Sequence, residues 1–460
     1  MRWASDDPVV GIIEGFYGPP WTWSQRTDVA RWCADRGMTH YVYAPKDDPK
    51  HRERWRDPYE PDELARFAAL AADGGLELGF ALSPGLDIDY SSSADRDDLW
   101  HKVASVLDHG VGSVVLALDD IPDRPGLGRE HALLVSWLHD RLDGAASLVL
   151  VPTQYIGSRP TPHLAELAAG VPPDVAIAWT GESVVNDEIT VADAERRAEA
   201  LGGRPPLLWD NYPVNDAFMA DRLFLGPLRG RDPGLPAACA GWLANPMVQP
   251  VASQLPLASV AALLRGEDPD AAWLAEAPRL GWLTFAEACD GELPQRLVAE
   301  LASAPGSDAE DGPARALTAW LEAAAAVEAP GLEEEAAPWL EQVRLEAAVG
   351  LRALRLLAAA RPTTQAGADG STPDSVDADA VLGRAMRLLA TWPAVRRAPV
   401  SVLGPRCSVR PALEQRADGG WRLRRDAVIE DGNALDHLAR LALDAAALAG
   451  PEATVTPEGR

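Results

Sequence analysis

Eight short apolar segments recur through the first 250 residues, and longer amphipathic segments separate them. They occupy residues 9–17, 39–45, 76–84, 113–120, 147–154, 175–181, 206–213 and 237–245. Most are continuously apolar instead of alternating, which is typical of parallel strands that are covered on both faces. The segments between them, such as residues 95–110, begin with acidic residues and end at glycine, as helices do. This alternation predicts an α/β fold, a (β/α)₈ TIM barrel of roughly 250 residues.

The sequence after residue 250 has a different character, with Ala, Leu, Glu and Arg in helical spacing, as in residues 340–360. We therefore predict a catalytic barrel domain at 1–250 and an all-helical C-terminal domain at 251–460. Residues 361–380 are polar and rich in Gly and Pro, and bury too little apolar surface to offset the entropy of ordering, so they predict a mobile loop. The long amphipathic stretches also predict a homodimer contact through the helical domain.

The charge balance argues against several classes of partner. The 42 basic and 69 acidic residues give a net charge of −27, which repels phosphate backbones and anionic lipid surfaces. We expect neither nucleic acid nor a membrane as partner. No apolar run has the length of a signal peptide or a membrane span, so we expect a cytoplasmic protein. The four cysteines lack CxxC spacing and predict free thiols.

Most of the conspicuous polar and aromatic residues follow the apolar segments directly. They are Glu14 to Gly18 with Trp21 and Trp23, Tyr43 to Asp48, Asp119 and Asp120, Gln154 and Tyr155, Trp179 and Thr180, Trp209 to Tyr212, and Trp242 with Asn245. In a barrel, the carboxyl ends of the strands meet at one face, where the loops form the active site. Carboxylates and amides pair with hydroxyls, and aromatic rings pack on the apolar faces of a pyranose. The pattern therefore predicts a sugar-binding cavity at this face.

The pair Asp119 and Asp120 is the candidate for general acid and base chemistry at a glycosidic bond. By itself the pair is weak evidence, because Asp-Asp occurs four times in the chain and also starts helices. Lys46 has an alternative role as one charge of a solvated loop, and Trp209 an alternative role as a core residue. The functional interpretation depends on all of these residues lying on one face.

Seven segments identify a family. In order, they are "GIIEGFYGPPW", "YVYAPKDDPKHRERWRDPY", "ALDDI", "PTQY", "WTG", "WDNYPVND" and "LANP", between residues 11 and 246. They resemble the signature segments of glycoside hydrolase family 84, the O-GlcNAcases and related β-N-acetylglucosaminidases. The resemblance implies retaining hydrolysis of a terminal β-linked N-acetylglucosamine. In this mechanism the 2-acetamido oxygen of the sugar attacks the anomeric carbon, and water opens the resulting oxazoline.

The resemblance also implies roles for individual residues. Among the catalytic residues, Asp119 orients and polarises the acetamide N–H, Asp120 is the general acid and base, and Tyr155 binds the acetamide oxygen. The implied substrate-binding residues are Gly15 (through its backbone), Lys46, Trp209, Asn211, Asp216 and Asn245. Trp209 is implied as a wall of the acetamide pocket, and Asn211 as a support for the acetamide. The resemblance implies neither a metal nor another cofactor.

Two other functions are alternatives to this one. A metal-dependent barrel hydrolase needs clustered histidines at strand ends, but the eight histidines form no HxH pair. A non-catalytic GlcNAc-binding protein has no need of Asp119, Asp120 and Tyr155 together. The natural aglycone, a protein Ser or Thr side chain or another saccharide, is left open by these residues.

Overall fold

The computed structural model describes residues 4–5, 8–303, 312–360, 377–403, 413–415, 421–423 and 432–449. The chain divides into two compact units. The first comprises Met1–Met219 with Pro227–Glu276, and the second comprises Ala220–Gly226 with Ala277–Arg460. The first unit therefore continues past residue 250, where we placed the end of the barrel domain. The reason is that helix α8 (Pro250–Arg265) packs against helix α1 (Trp23–Ala34) of the barrel.

The first unit is built on a closed barrel of eight parallel strands in sequential order. The strands are β1 Val9–Glu14, β2 His40–Tyr43, β3 Glu77–Leu82, β4 Val111–Ala117, β5 Ser147–Val151, β6 Ala176–Trp179, β7 Leu207–Asp210 and β8 Gly241–Ala244. Pairing of β8 with β1 closes the barrel. The predicted TIM barrel is confirmed, with all eight strands in the predicted places. Each strand is shorter than its apolar segment, because the last residues of most segments belong to the loops at the carboxyl ends. In the eighth segment, residues 237–240 instead precede the strand.

Helices surround this barrel. In the first unit they are α1 and α8, with α2 Pro61–Asp73, α3 Ser93–Leu107, α4 Leu127–Leu142, α5 Pro162–Gly170, α6 Val191–Ala200 and α7 Leu235–Ala238. Several begin at side-chain caps of the expected kind. Thr22 caps α1 and forms a capping box with Gln25, and Thr190 forms the same box with Asp193 at α6. These caps fix where the chain leaves each loop and enters a helix.

The barrel interior is filled by branched and small apolar residues. Ile13, Val115 and Leu243 pack there with several alanines, and Trp209 joins the same cluster from the end of β7. Close packing of this kind leaves the interior without a pore. Any ligand therefore binds above the packed interior, at the carboxyl ends of the strands.

The second unit is helical. Its helices are α10 Leu283–Asp290, α11 Glu292–Ser303, α12 Pro313–Ala325, α13 Ala337–Ala360, α14 Ala378–Val395 and α15 Ala434–Ala449, and α9 Pro269–Leu280 spans the division between the units. The predicted helical region is confirmed. The prediction missed an antiparallel pair, β9 Leu413–Gln415 and β10 Trp421–Leu423, because three-residue strands are too short to show a period.

Two further predictions bear on this unit. Residues 361–376 of the predicted mobile loop lie outside the described residues, and α14 begins within the remainder, at Ala378. Among the cysteines, Cys33, Cys239 and Cys289 are free and buried, and Cys407 lies outside the described residues. Within the described ranges, every helix is too short or too polar to cross a bilayer.

Candidate active site

Asp119 and Asp120 follow β4 and line a single cavity of about 190 Å³. Successive side chains of a regular strand point to opposite faces, so two neighbouring residues of a strand do not share a cavity. Here β4 ends at Ala117, and Asp120 adopts φ +52°, in the left-handed region. Aspartate tolerates that conformation better than most residues. The turn breaks the alternation, so both carboxyl groups face the cavity.

Asp119 forms a buried ion pair with Lys46 from the loop after β2. Lys46 Nζ donates to Asp119 Oδ2 at 2.9 Å, and both side chains are buried. Burial raises the pKa of Asp119, but the charge and hydrogen bond of Lys46, with the charge of Arg52, bring that pKa below its usual value. The second oxygen, Oδ1, is buried and has no hydrogen-bond partner among the described residues. Asp119 therefore presents an ionised oxygen that can accept a hydrogen bond from a ligand.

Asp120 has a different set of partners. Tyr155 from the loop after β5 donates its hydroxyl to Oδ1 at 3.0 Å, and Tyr17 donates to Oδ2 at 3.0 Å. Burial and the negative charge of Asp120 raise the pKa of the Tyr155 hydroxyl, so it keeps its proton at neutral pH. The Asp120 side chain is 35% exposed, against 8% for Asp119. The two aspartates thus sit in distinct environments.

Asn211 is held in one orientation by Trp209 of β7, Asn245 after β8 and Val184 in the loop after β6. Trp209 Nε1 and Asn245 Nδ2 both donate to Asn211 Oδ1, each at 2.9 Å. Asn211 Nδ2 donates in turn to the Val184 carbonyl at 2.8 Å. The amide is therefore locked in place, and the indole of Trp209 forms one wall of the cavity.

Gly15 and Asp216 complete the cavity on the β1 side. The Gly15 N–H donates to Asn245 Oδ1 at 3.2 Å, and Asp216 Oδ2 accepts from the Tyr17 N–H at 2.7 Å. A Cβ atom at Gly15 would lie 2.5 Å from Trp209 Cζ2, so the close approach of the backbone to the indole requires glycine. Burial raises the pKa of Asp216.

All nine predicted site residues line the same cavity: Gly15, Lys46, Asp119, Asp120, Tyr155, Trp209, Asn211, Asp216 and Asn245. Our site predictions gave no individual role to Tyr17, which lines the cavity, or to Arg52, which contacts Asp120, although both stand inside the segments that identified the family. They also missed the cavity-lining apolar residues Val184, Val185 and Phe218, which carry no motif of their own.

Some residues at the strand ends belong to the core instead. Glu14, Trp179 and Trp242 are fully buried and do not line the cavity. Position at a strand end therefore does not by itself mark a functional residue. In the part of the chain that the structure describes, no three His, Cys, Asp or Glu side chains group closely enough to hold a metal ion.

Comparison with known proteins identifies the family to which the residues of this cavity belong. A model of the beta-N-acetylglucosaminidase family matches residues 10–279, more than half of the chain. The chain belongs to this family. The match confirms the family 84 resemblance that the seven segments predict, and it covers every residue of the cavity.

Named relatives of this family 84 chain come from animals and bacteria. The proteins called Protein O-GlcNAcase in Rattus norvegicus and Mus musculus are each 33% identical over 255 residues, which is 51% of this chain and 28% of theirs. The chain thus spans little more than a quarter of the length of these curated relatives. The solved structure of a mutant O-GlcNAc hydrolase of Thermobaculum terrenum is 26% identical, covers 98% of both chains and has a TM-score of 0.77.

Proposed function

We propose that this family 84 chain is a retaining β-N-acetylglucosaminidase that removes a terminal β-linked N-acetylglucosamine by substrate-assisted catalysis. The observation that carries the proposal is the difference between two neighbouring carboxylates in one cavity. Asp119 is buried against a lysine and has one open oxygen, whereas Asp120 is partly exposed and bound by two hydroxyl groups. Pairs of titratable groups whose environments differ in this way divide the acid and base roles between them.

In the first step, the acetamide oxygen of the sugar forms a bond to C1 as the bond from C1 to the aglycone oxygen breaks. Asp120 gives its proton to the departing oxygen. Asp119 accepts a hydrogen bond from the acetamide N–H, which becomes more acidic as positive charge develops on the amide. The open Oδ1 of Asp119 suits this role, because Lys46 engages the other oxygen.

Tyr155 changes partner in this step. Its hydroxyl has one proton, which it donates to Asp120 Oδ1. When the acetamide oxygen binds, we expect that proton to turn to it, which leaves Asp120 Oδ1 for the aglycone oxygen. Asn211 Nδ2 carries a second hydrogen beyond the one bonded to Val184, and that hydrogen is available to the acetamide.

In the second step, water attacks C1 from the side that the aglycone left. The bond from C1 to the oxazoline oxygen breaks, its electron pair returns to the amide, and Asp120 takes a proton from the water. Two inversions at C1 give net retention. The enzyme supplies no nucleophile of its own.

The experiment is hydrolysis of p-nitrophenyl β-N-acetylglucosaminide by the full chain, with NMR detection of the first anomer. We expect the β anomer, and rates that fall as the N-acetyl group is replaced by N-fluoroacetyl and N-trifluoroacetyl, because fluorine weakens the acetamide oxygen as a nucleophile. An α anomer, or rates independent of fluorination, contradicts the mechanism. Adding a chelator tests the metal-dependent alternative. We expect no loss of activity, whereas that alternative predicts a loss.

The other predictions stay open to experiment. The aglycone is tested by release of GlcNAc from an O-GlcNAc peptide and from chitobiose under the same conditions. A cytoplasmic location and a homodimer through the helical region remain predictions from the sequence. Light scattering of the purified chain checks the second, and a monomeric mass contradicts it.

A further inference from the structure

Arg52 contacts the general acid from two directions, although neither the sequence prediction nor the proposed mechanism assigns it a role. It lies in the loop after β2, and its side chain is 12% exposed. Nη1 donates to the Tyr17 hydroxyl at 3.1 Å and lies 3.6 Å from Asp120 Oδ2. Nη2 donates to the backbone carbonyl of Asp120 at 3.3 Å. One guanidinium therefore contacts the backbone of Asp120, the carboxylate of Asp120 and the hydroxyl that binds this carboxylate.

We propose that Arg52 is a positioning residue that holds Asp120 in its left-handed backbone conformation and aims its carboxyl group at the leaving-group oxygen. The proposal rests on the proposed glycosidase function. In this role Arg52 acts on the reaction through its contacts with Asp120 and Tyr17, without touching the sugar.

The backbone of Asp120 explains why such a residue is needed. A left-handed backbone conformation is strained for a residue other than glycine, and it persists only where the surroundings enforce it. The hydrogen bond from Arg52 Nη2 to the Asp120 carbonyl is one such restraint. Without it, the peptide can relax toward the regular strand conformation, which turns the carboxyl group out of the cavity.

The shape of the guanidinium matters as much as its charge. Its planar fork presents several N–H donors in fixed directions, whereas a lysine offers one compact ammonium group. A lysine at this position keeps a positive charge near Asp120 but cannot donate to both the Asp120 carbonyl and the Tyr17 hydroxyl with the same geometry. Lysine and glutamine variants therefore separate charge from position.

The charged and titratable groups around Asp120 predict the effect on pH dependence. Tyr17 faces it from the β1 loop, Lys46 and Arg52 from the β2 loop, Asp119 from its own loop and Tyr155 from the β5 loop. Lys46 is paired with Asp119, so Arg52 is the cation that directly balances Asp120. Removing this positive charge disfavours the ionised carboxylate. We therefore expect the alkaline limb of kcat/KM to move to higher pH when Arg52 loses its charge.

The test compares Arg52→Gln and Arg52→Lys with the control Arg54→Gln. Arg54 lies on the same loop, but its side chain is 58% exposed and its ion pair is with Asp57. Each variant is assayed on p-nitrophenyl β-N-acetylglucosaminide, which needs little acid assistance, and on methyl β-N-acetylglucosaminide, which needs much. We expect Arg52→Gln to lower kcat on the methyl glycoside by about 100-fold, with a smaller loss on the aryl glycoside and an upward shift of the alkaline limb.

Arg52→Lys distinguishes the two contributions. We expect Arg52→Lys to have its alkaline limb at the pH of the unchanged chain, but to keep the low rate of Arg52→Gln on the methyl glycoside. Arg54→Gln is expected to match the unchanged chain in both quantities. Equal losses on both substrates, a change confined to KM, or an unmoved alkaline limb in Arg52→Gln overturns the proposal, and full rescue by lysine overturns the positional part. No hydrolysis of either glycoside by the unchanged chain contradicts the proposed function, whereas an active chain with equal losses contradicts the role of Arg52 alone.

Discussion

Two buried ion pairs at the carboxyl ends of the barrel strands are alike in chemistry and differ in how fully they are hydrogen-bonded. Glu14, at the end of β1, receives two hydrogen bonds from Arg26, at 2.8 and 2.9 Å. The Tyr41 hydroxyl and the backbone N–H of Trp21 also donate to it, at 2.5 and 3.2 Å. Asp119 receives one hydrogen bond from Lys46, and its second oxygen has no partner among the described residues. Both pairs are almost fully removed from solvent.

We interpret this as the difference between a structural ion pair and an ion pair that can bind a ligand. A buried carboxylate is costly unless its hydrogen bonds are made, and Glu14 makes them all within the protein. Asp119 Oδ1 has no partner among the described residues at a similarly buried position, where a hydrogen bond is worth more than in bulk water. A ligand that donates an N–H to this oxygen recovers that free energy. Asp119 is therefore expected to matter for the reaction, and Glu14 for the fold.

The largest expected effect is that of Asp119→Asn, which tests whether Asp119 serves the reaction. The amide has no charge to stabilise the developing positive charge of the acetamide, so we expect kcat to fall by roughly 10²- to 10⁴-fold. The melting temperature should fall less than after the loss of the Glu14 charge, because Asp119 makes one hydrogen bond and the charge of Asp120 still acts on Lys46. Steady-state kinetics and a thermal melt measure both quantities. A large loss of stability with near-normal kcat would place Asp119 in the same class as Glu14.

Glu14→Gln tests whether Glu14 serves the fold and not the reaction. Removing one member of a buried pair leaves Arg26 charged and uncompensated, which costs roughly 3–5 kcal/mol of the free energy of unfolding. We expect the folded fraction to keep its kcat, because Glu14 does not line the cavity. Urea denaturation gives the first quantity, and kinetics at low temperature, corrected for active enzyme, give the second. A kcat reduced as far as in Asp119→Asn contradicts the structural assignment.

This comparison marks the limit of what could be predicted from the sequence. The strands were predictable because burial on both faces leaves continuous apolar runs, and the cavity residues because ordered segments identified a family. Glu14 and Asp119 look alike in the sequence, since each is a carboxylate at the end of a buried strand. What separates them is the partner, Arg26 on α1 or Lys46 on a loop, and such pairings depend on the folded geometry.

Arg52 was missed for the same kind of reason. It stands among several charges in "KDDPKHRER", a pattern typical of a solvated loop. Nothing in that pattern indicates that one arginine turns inward toward Asp120 while Arg54 stays exposed. The left-handed backbone of Asp120 was equally hidden, because aspartate adopts it only where the surroundings enforce it.

Lys46→Met tests the ion pair of Asp119 through the pH dependence of kcat/KM. Burial raises the pKa of Asp119, and Lys46 provides the main opposing effect. Removing the lysine therefore raises that pKa, and the ionised carboxylate is lost at a higher pH as the solution is acidified. We expect the acid limb of kcat/KM to move to higher pH than in the unchanged chain. An acid limb that stays in place, measured with p-nitrophenyl β-N-acetylglucosaminide, indicates that Asp119 does not need to be ionised.

The smallest expected effect is that of Gly15→Ala, which tests the wall of the cavity instead of its charges. The added Cβ would lie 2.5 Å from Trp209 Cζ2, so the indole or the backbone must move. Overpacking of this kind costs roughly 1–3 kcal/mol of stability. A shift of the indole also weakens its hydrogen bond to Asn211, which fixes the amide beside the aspartates. We expect kcat/KM to fall by about tenfold, since small displacements of positioning groups carry losses of this order.

Gly383→Ala in α14 is the matched control for that substitution. A Cβ there meets nothing closer than 3.8 Å, and alanine favours a helix over glycine by about 1 kcal/mol. The control should keep the kinetic constants and gain slightly in melting temperature. Unchanged kcat/KM in Gly15→Ala would mean that the indole has room to move without disturbing Asn211. Activity would then depend on the charged groups of the cavity and not on the exact position of its indole wall. The open Oδ1 of Asp119, paired with Lys46, would then be what distinguishes this site from the fully hydrogen-bonded Glu14.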